Sequence, residues 1–159
     1  RLTTMGRELV VAWAHRHQRR DWEALCAEYR RRIGNEVTIR DLPVKARVAS
    51  EDPGRQRAEG EALLAALPDP CWLIALDSRG KSRTTEDAAR WLAERRETWP
   101  HPIAFAIGSD LGHGSELLDA ARERWSLAPI TFGHELARLV LYEQLYRIFS
   151  IRRGIRYHR

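Results

Sequence analysis

Cys71-Trp-Leu-Ile-Ala-Leu-Asp77 and, one helix later, Ile103-Ala-Phe-Ala-Ile-Gly108 decide the fold. Both stretches are apolar at odd and even positions alike, which a strand covered on both faces of a parallel sheet requires. Between them, Thr84 or Thr85 is placed to cap a helix running to about Trp99. Glu86 and Asp87 lie in its first turn, where the helix dipole favours negative charge.

Upstream, Glu8–Ala14 reads as a strand. Gln18–Ile33 reads as a helix, with Trp22, Leu25, Cys26, Tyr29 and Ile33 on one face. Val37–Leu42 is a second strand, 43–53 a polar loop set off by Pro43 and Pro53, and Arg55–Leu67 a helix. Downstream, Ser115 is expected to cap a helix to about Trp125. Ala128–Thr131 reads as a short strand and Gly133–Ser150 as the last helix. The alternation predicts an α/β fold, a mainly parallel sheet with helices on both faces. It fits one domain over residues 1–159 with a basic tail at 151–159, and shows no repeat or linker.

A hydrophobic content of 43% and a charged content of 31% describe an ordinary soluble globular chain with no membrane span. No secretory pattern is present. The two cysteines, Cys26 and Cys71, have neither disulfide-framework nor zinc spacing and read as reduced core residues, which fits a cytoplasmic protein. The net charge is +5, and the last eight residues hold four arginines and no acid. Such a tail suits a polyanion, because arginine forks match phosphate and aromatic rings stack on bases. A solvated, disordered tail is the plain alternative.

In open α/β sheets ligands sit beyond the carboxyl ends of the strands. Those ends carry Leu76-Asp77-Ser78-Arg79-Gly80-Lys81, Gly108-Ser109-Asp110-Leu111-Gly112-His113-Gly114 and Ile130-Thr131-Phe132-Gly133-His134. Neither phosphate-loop nor dinucleotide glycine spacing is present, and the histidines are scattered, so no metal site is expected. Ser109, Asp110, His113 and His134 could meet as a hydrolase site, but Ser109 lacks a nucleophile elbow. A turn and helix cap at Ser109-Asp110 is the simpler reading. The last helix is apolar around most of its circumference. Either a twofold copy covers its second face or it is wedged within its own domain. Arg138 and Arg147 on it are expected either to act at the site or to pair with Glu135 and Glu143.

These loops carry a resemblance. Leu76-Asp77 followed by Gly80-Lys81, Ile107-Gly108, Trp125-Ser126-Leu127, Thr131, His134, Arg138, Glu143–Arg147, Ser150-Ile151 and Tyr157-His158-Arg159 stand in the order and spacing of the SPOUT methyltransferases. Within them the chain resembles the ribosomal RNA large subunit methyltransferase H family. The resemblance implies a C-terminal trefoil knot, a rare exception to unknotted chains. It also implies a homodimer, S-adenosylmethionine as donor, and N3 of a pseudouridine in helix 69 of 23S ribosomal RNA as acceptor.

By position, the resemblance assigns the cofactor to Leu76, Gly108, Ser109 and the loop Pro129, Ile130, Thr131, Phe132, Gly133 and His134. It assigns RNA to Arg152, Arg153, Arg156 and Arg159. Catalysis falls to the tail residues His158, Arg156, Tyr157 and Arg159: either His158 serves as base, or Arg156 or Arg159 instead stabilises the developing anion. Three departures stand out. The family's Gly-Gly-Pro-acid-Gly loop is Gly108-Ser109-Asp110-Leu111-Gly112 here, its proline before the loop histidine is Gly133, and its His-Pro before Tyr-His is Ile155-Arg156. A non-catalytic RNA- or ribosome-binding module of the same fold is therefore the alternative. Weak, salt-sensitive binding to naked RNA is expected.

Overall fold

A computed structural model describes residues 7–14 and 19–152, with Arg152 described in its backbone alone. Five strands and five helices alternate: β1 (Leu9–Ala14), α1 (Arg20–Ile33), β2 (Ile39–Val44), α2 (Arg55–Ala66), β3 (Trp72–Ser82), α3 (Thr85–Thr98), β4 (Ile103–Ile107), α4 (Ser115–Ala120), β5 (Glu123–Ser126) and α5 (His134–Arg152). All pairings are parallel, in the order β2-β1-β4-β3-β5. The stretches that are apolar on both faces, β3 and β4, lie inside the sheet, and Pro43 falls on the edge strand β2, where a missing donor is tolerated.

The strands divide their side chains between two cores. Leu9, Val11, Trp13, Ile74, Phe105 and Ile107 face α1, α3 and α5. Val10, Ala12, Ala75, Ala104 and Ala106 face Leu63 of α2 and Leu117 and Leu118 of α4. The small residues on the second face let those two helices approach closely. Thr84, not Thr85, is the cap of α3, accepting from the Asp87 amide at 3.1 Å.

Three local expectations are corrected. The helix expected from Ser115 to Trp125 stops at Ala120, and Gly114 rather than Ser115 occupies its N-cap position. Residues Glu123–Ser126 leave helical geometry to pair with β3, because the Trp125 indole gains Phe105 and Trp91 as edge-on neighbours there. Ala128–Thr131 forms no strand, since β5 already holds the β3 edge. The strand read as Cys71–Asp77 continues to Ser82, with Asp77–Gly80 looped out: Leu76 and Lys81 both align with Trp125.

Helix α5 is wedged between α1 and α3 over the sheet, burying Leu141, Tyr142, Leu145, Ile148 and Phe149. Arg147 pairs with Glu143 as expected, whereas Arg138 does not pair with Glu135. It is buried on the Trp13 ring at 3.8 Å and ion-paired to Glu23 of α1 and, at 3.1 Å, Asp41 of β2. Arg30 and the Tyr142 hydroxyl complete the shell of Asp41. Both arginines are thus engaged in ion pairs within the fold. Cys26 is buried in the same core, and burial pushes its thiol up to about 11. Both cysteines are free.

Candidate cofactor site at the strand ends

Gly80 explains how the first wall of the site is built. A methyl group there would lie 2.6 Å from the Arg124 backbone, so glycine alone lets the looped-out Asp77–Gly80 close back onto β5. The loop turns Asp77, Ser78 and Arg79 away from the ladder. The second wall is 108–113 after β4. Gly108 lies against the Gly112 backbone, where a Cβ would come within 2.9 Å, and Gly112 takes φ +72°, a left-handed conformation that favours glycine. The third wall is the segment between β5 and α5.

These walls enclose a cavity of about 330 Å³, within the size of small-molecule sites. Leu76, Ile107, Leu127, Ile130, Phe132 and Ala137 supply apolar surface, and Asp77, Ser78, Arg79, Ser109, Asp110 and Thr131 add polar side chains. Of the residues assigned from sequence, Leu76, Gly108, Ser109, Ile130, Thr131 and Phe132 line the cavity. Pro129, Gly133 and His134 do not. They belong to the same connection, where the Gly133 carbonyl accepts from Ala137 and His134 starts α5. Arg153, Arg156, Tyr157, His158 and Arg159 lie outside the described residues, as does the Arg152 side chain.

Sequence reading missed what holds the 108–113 loop. Arg55 and Glu59, one turn apart on α2, are buried and paired at 3.0 Å. The Ser109 hydroxyl donates to Glu59 at 3.0 Å and accepts from the Leu111 amide at 3.3 Å, while Arg55 reaches Ser109 and Asp110. Gln56 donates to the Leu111 carbonyl at 2.7 Å. These side chains tie the loop to α2 at three successive positions, Ser109, Asp110 and Leu111. Nothing local signals them, because the partners lie some fifty positions apart in the chain. Ser109 is thus a turn residue bonded to a carboxylate and a guanidinium. Its hydroxyl meets no histidine among the described residues, and it caps the loop rather than the following helix.

Two ionisable groups complete the site. Burial opposes the charge on Asp77, but the Arg79 amide at 2.9 Å and the Arg79 guanidinium outweigh it and hold the carboxyl below its usual range. An ionised carboxylate beside apolar walls suits a ligand that is cationic and carries hydroxyls. His113 is pushed below its ordinary value, chiefly by burial, and its Nε2 lies 2.9 Å from the Ala106 carbonyl. The neutral ring therefore closes the loop base. Among the described residues no group of three or more His, Cys, Asp or Glu could hold a metal ion, and no helix is long and apolar enough to cross a membrane.

The chain is similar to a family model, to curated relatives and to a solved structure. A family model described as "Predicted SPOUT methyltransferase" matches residues 8–158. "Ribosomal RNA large subunit methyltransferase H" of Xylella fastidiosa (strain M12) is 37% identical over 139 residues, covering 84% of this chain and 86% of that protein. The protein of the same name from Acidithiobacillus ferrooxidans (strain ATCC 53993 / BNL-5-31) is 41% identical over 146 residues, covering 86% and 87%. Among solved structures, the SpoU methyltransferase AviRb from Streptomyces viridochromogenes, in complex with AdoMet, aligns with 98% of this chain at 13% identity and a TM-score of 0.48. The chain spans 62% of that protein's length.

Proposed function

The chain belongs to the SPOUT methyltransferase family, and from that premise we propose that it transfers a methyl group from S-adenosylmethionine to N3 of a pseudouridine in helix 69 of 23S ribosomal RNA. The observation that carries the reading is the cavity beyond β3 and β4. Its apolar walls fit an adenine, its polar side chains offer partners to the base edge, and Asp77 offers an acceptor to ribose hydroxyls or the ammonium group. Bound there, the cofactor supplies an electrophilic sulfonium methyl.

The protein's own contribution is positioning. Leu76, Gly108, Ser109, Ile130, Thr131 and Phe132 hold the donor, and Pro129, Gly133 and His134 carry the connection that shapes that wall. Arg152, Arg153, Arg156 and Arg159 hold the RNA strand. The N3 imino proton must leave, and His158 is the base, since an imidazole titrates near neutrality. Arg156 or Arg159 stabilises the anion of the pyrimidine, with Tyr157 stacked beside it. A trefoil knot at the C-terminal end and a cytoplasmic location belong to the same reading.

We also propose a homodimer. Trp22, Leu25 and Tyr29 form a stripe on α1, and Leu136, Leu139 and Tyr146 a stripe on α5. The stripes meet where the Tyr29 and Tyr146 rings pack at 6.0 Å. Leu25 remains 48% exposed and Leu136 38%, so this apolar face is left for a second copy.

Calorimetric titration with S-adenosylmethionine and S-adenosylhomocysteine tests the reading. Saturable binding of one ligand per subunit is expected, followed by methyl transfer to ribosomes that lack this modification, read by nucleoside mass spectrometry. Absence of saturable binding by both ligands would overturn it.

A further inference from the structure

Four of the six tryptophans gather along one flank of the sheet, interleaved with arginines. Trp72 opens β3, Trp91 lies on α3, Trp99 precedes β4 and Trp125 is in β5. Trp72 meets Trp99 at 5.5 Å and Trp91 at 6.1 Å, and Trp91 meets Trp125 at 4.9 Å, all edge-on. The guanidinium of Arg122 lies 4.5 Å from the Trp72 ring centre and 4.8 Å from that of Trp99. That of Arg95 lies 4.0 Å from Trp72 and 5.2 Å from Trp91. Arg83, over Trp125 at 5.1 Å, is neutralised by Glu123 at 3.0 Å.

The other two cations differ from Arg83. Among the described residues, neither Arg95 nor Arg122 has a carboxylate within ion-pair distance; of the acids nearest them in the chain, Glu123 pairs with Arg83 and Asp119 with Arg124, while Glu94 and Glu97 make no ion pair with Arg95. Arg122 is exposed, while the Nε of Arg95 and the Nε1 of Trp72 are buried without an acceptor. Stacking on indole fixes the plane of a guanidinium and leaves its N–H fork pointing outward. A rigid, unneutralised fork of this kind matches a phosphate diester.

The stack also has a fixed relation to the cofactor cavity. Trp72, Ile74 and Leu76 alternate onto the same face of β3, and Leu76 lines the cavity. Trp72 therefore sits four residues away, roughly 13 Å along the strand at about 3.3 Å per residue. An RNA whose target base meets the cofactor's methyl group at the mouth of the cavity would reach this flank with its neighbouring ribose-phosphate backbone.

We propose that the Arg122–Trp72–Arg95 stack is a second RNA contact, which grips the substrate's ribose-phosphate backbone away from the reaction centre. The proposal rests on the RNA methyltransferase reading above. It adds a site to the basic tail, in which sequence alone concentrates the RNA-binding charge.

The test compares the full-length protein with Arg122→Gln and with Arg122→Lys, which keeps the charge but loses the fork. Three quantities are read: cofactor affinity, KM and kcat on ribosomal substrate, and the salt dependence of binding to protein-free 23S ribosomal RNA. For Arg122→Gln, KM rises roughly threefold to tenfold and the slope of log affinity against log salt falls by about 0.7–0.9 per lost phosphate contact. Cofactor affinity, kcat and melting temperature stay put. Arg122→Lys recovers most of the slope and part of the KM.

An unchanged KM and slope in a folded Arg122→Gln protein overturns the proposal. So does a raised KM on ribosomes with an unchanged slope on protein-free RNA, which would assign the stack to a ribosomal protein. Loss of cofactor binding or methyl transfer in the unsubstituted protein sinks the enzymatic reading instead, so the two failures are distinguishable.

Discussion

At the scale of single residues, two glycines and a histidine fix the site, for different reasons. Gly108 is needed for close approach within its own loop, which the glycine-rich strand end already suggested. Gly80 is needed because a neighbouring strand crosses its Cβ position, and no sequence pattern reveals that. Gly80→Ala is expected to cost about 1–3 kcal/mol, as overpacking against backbone does, and to weaken cofactor binding with it. Urea denaturation and calorimetry check both effects. His113 gives a pH dependence. Burial lowers its folded pKa below the ordinary 6.5, so the unfolded chain takes up the proton first as the medium is acidified. The neutral ring's contribution is complete above 6.5 and is lost as pH falls from there through the lower folded value. Melting temperature is expected to fall over that window in the native protein. His113→Gln, which keeps a neutral donor for the Ala106 carbonyl, is expected to flatten the profile. An identical profile in the variant would assign the loss to other groups.

At the scale of elements, periodicity served where an element packs by its own pattern and failed where a neighbour decided. The α3 cap and the two-faced β3 and β4 follow from local composition. The stretch 121–126 carries helix-compatible residues, yet Glu123–Ser126 is a strand because β3 offers an edge and Phe105 and Trp91 offer a pocket for Trp125. Arg138 shows the same lesson in charge. Its nearest acid in sequence is Glu135, but its partners, Glu23 and Asp41, come from α1 and β2. Removing Arg138 leaves Glu23 without its partner and Asp41 with only Arg30 and the Tyr142 hydroxyl, and opens a cavity beside the Trp13 ring. Arg138→Ala is therefore expected to destabilise by about 3–5 kcal/mol, measured by denaturant titration. A loss below about 1 kcal/mol would place the cluster in water, as for a surface pair.

At the scale of the whole molecule, one sheet, two helical layers and a cavity at the strand ends account for most of the apolar sequence. The remaining apolar surface, around Leu25 and Leu136, predicts self-association. Leu25→Glu combined with Leu136→Glu is expected to convert a dimer to a monomer in sedimentation analysis while leaving the far-ultraviolet spectrum unchanged. A dimer surviving both changes would move the interface elsewhere. The sequence by itself determined the α/β class, the alternation of strands and helices, and the strand-end loops that form the cavity, because side-chain periodicity and capping are local properties. It also carried the family, through short motifs in fixed order. Only the tertiary structure decided the strand order, the looped-out Asp77–Gly80, the α2 side chains that hold the Ser109 loop, and the tryptophan–arginine flank. Each of these depends on residues far apart in the chain, and their meeting is set by the packing of layers, which no local pattern encodes.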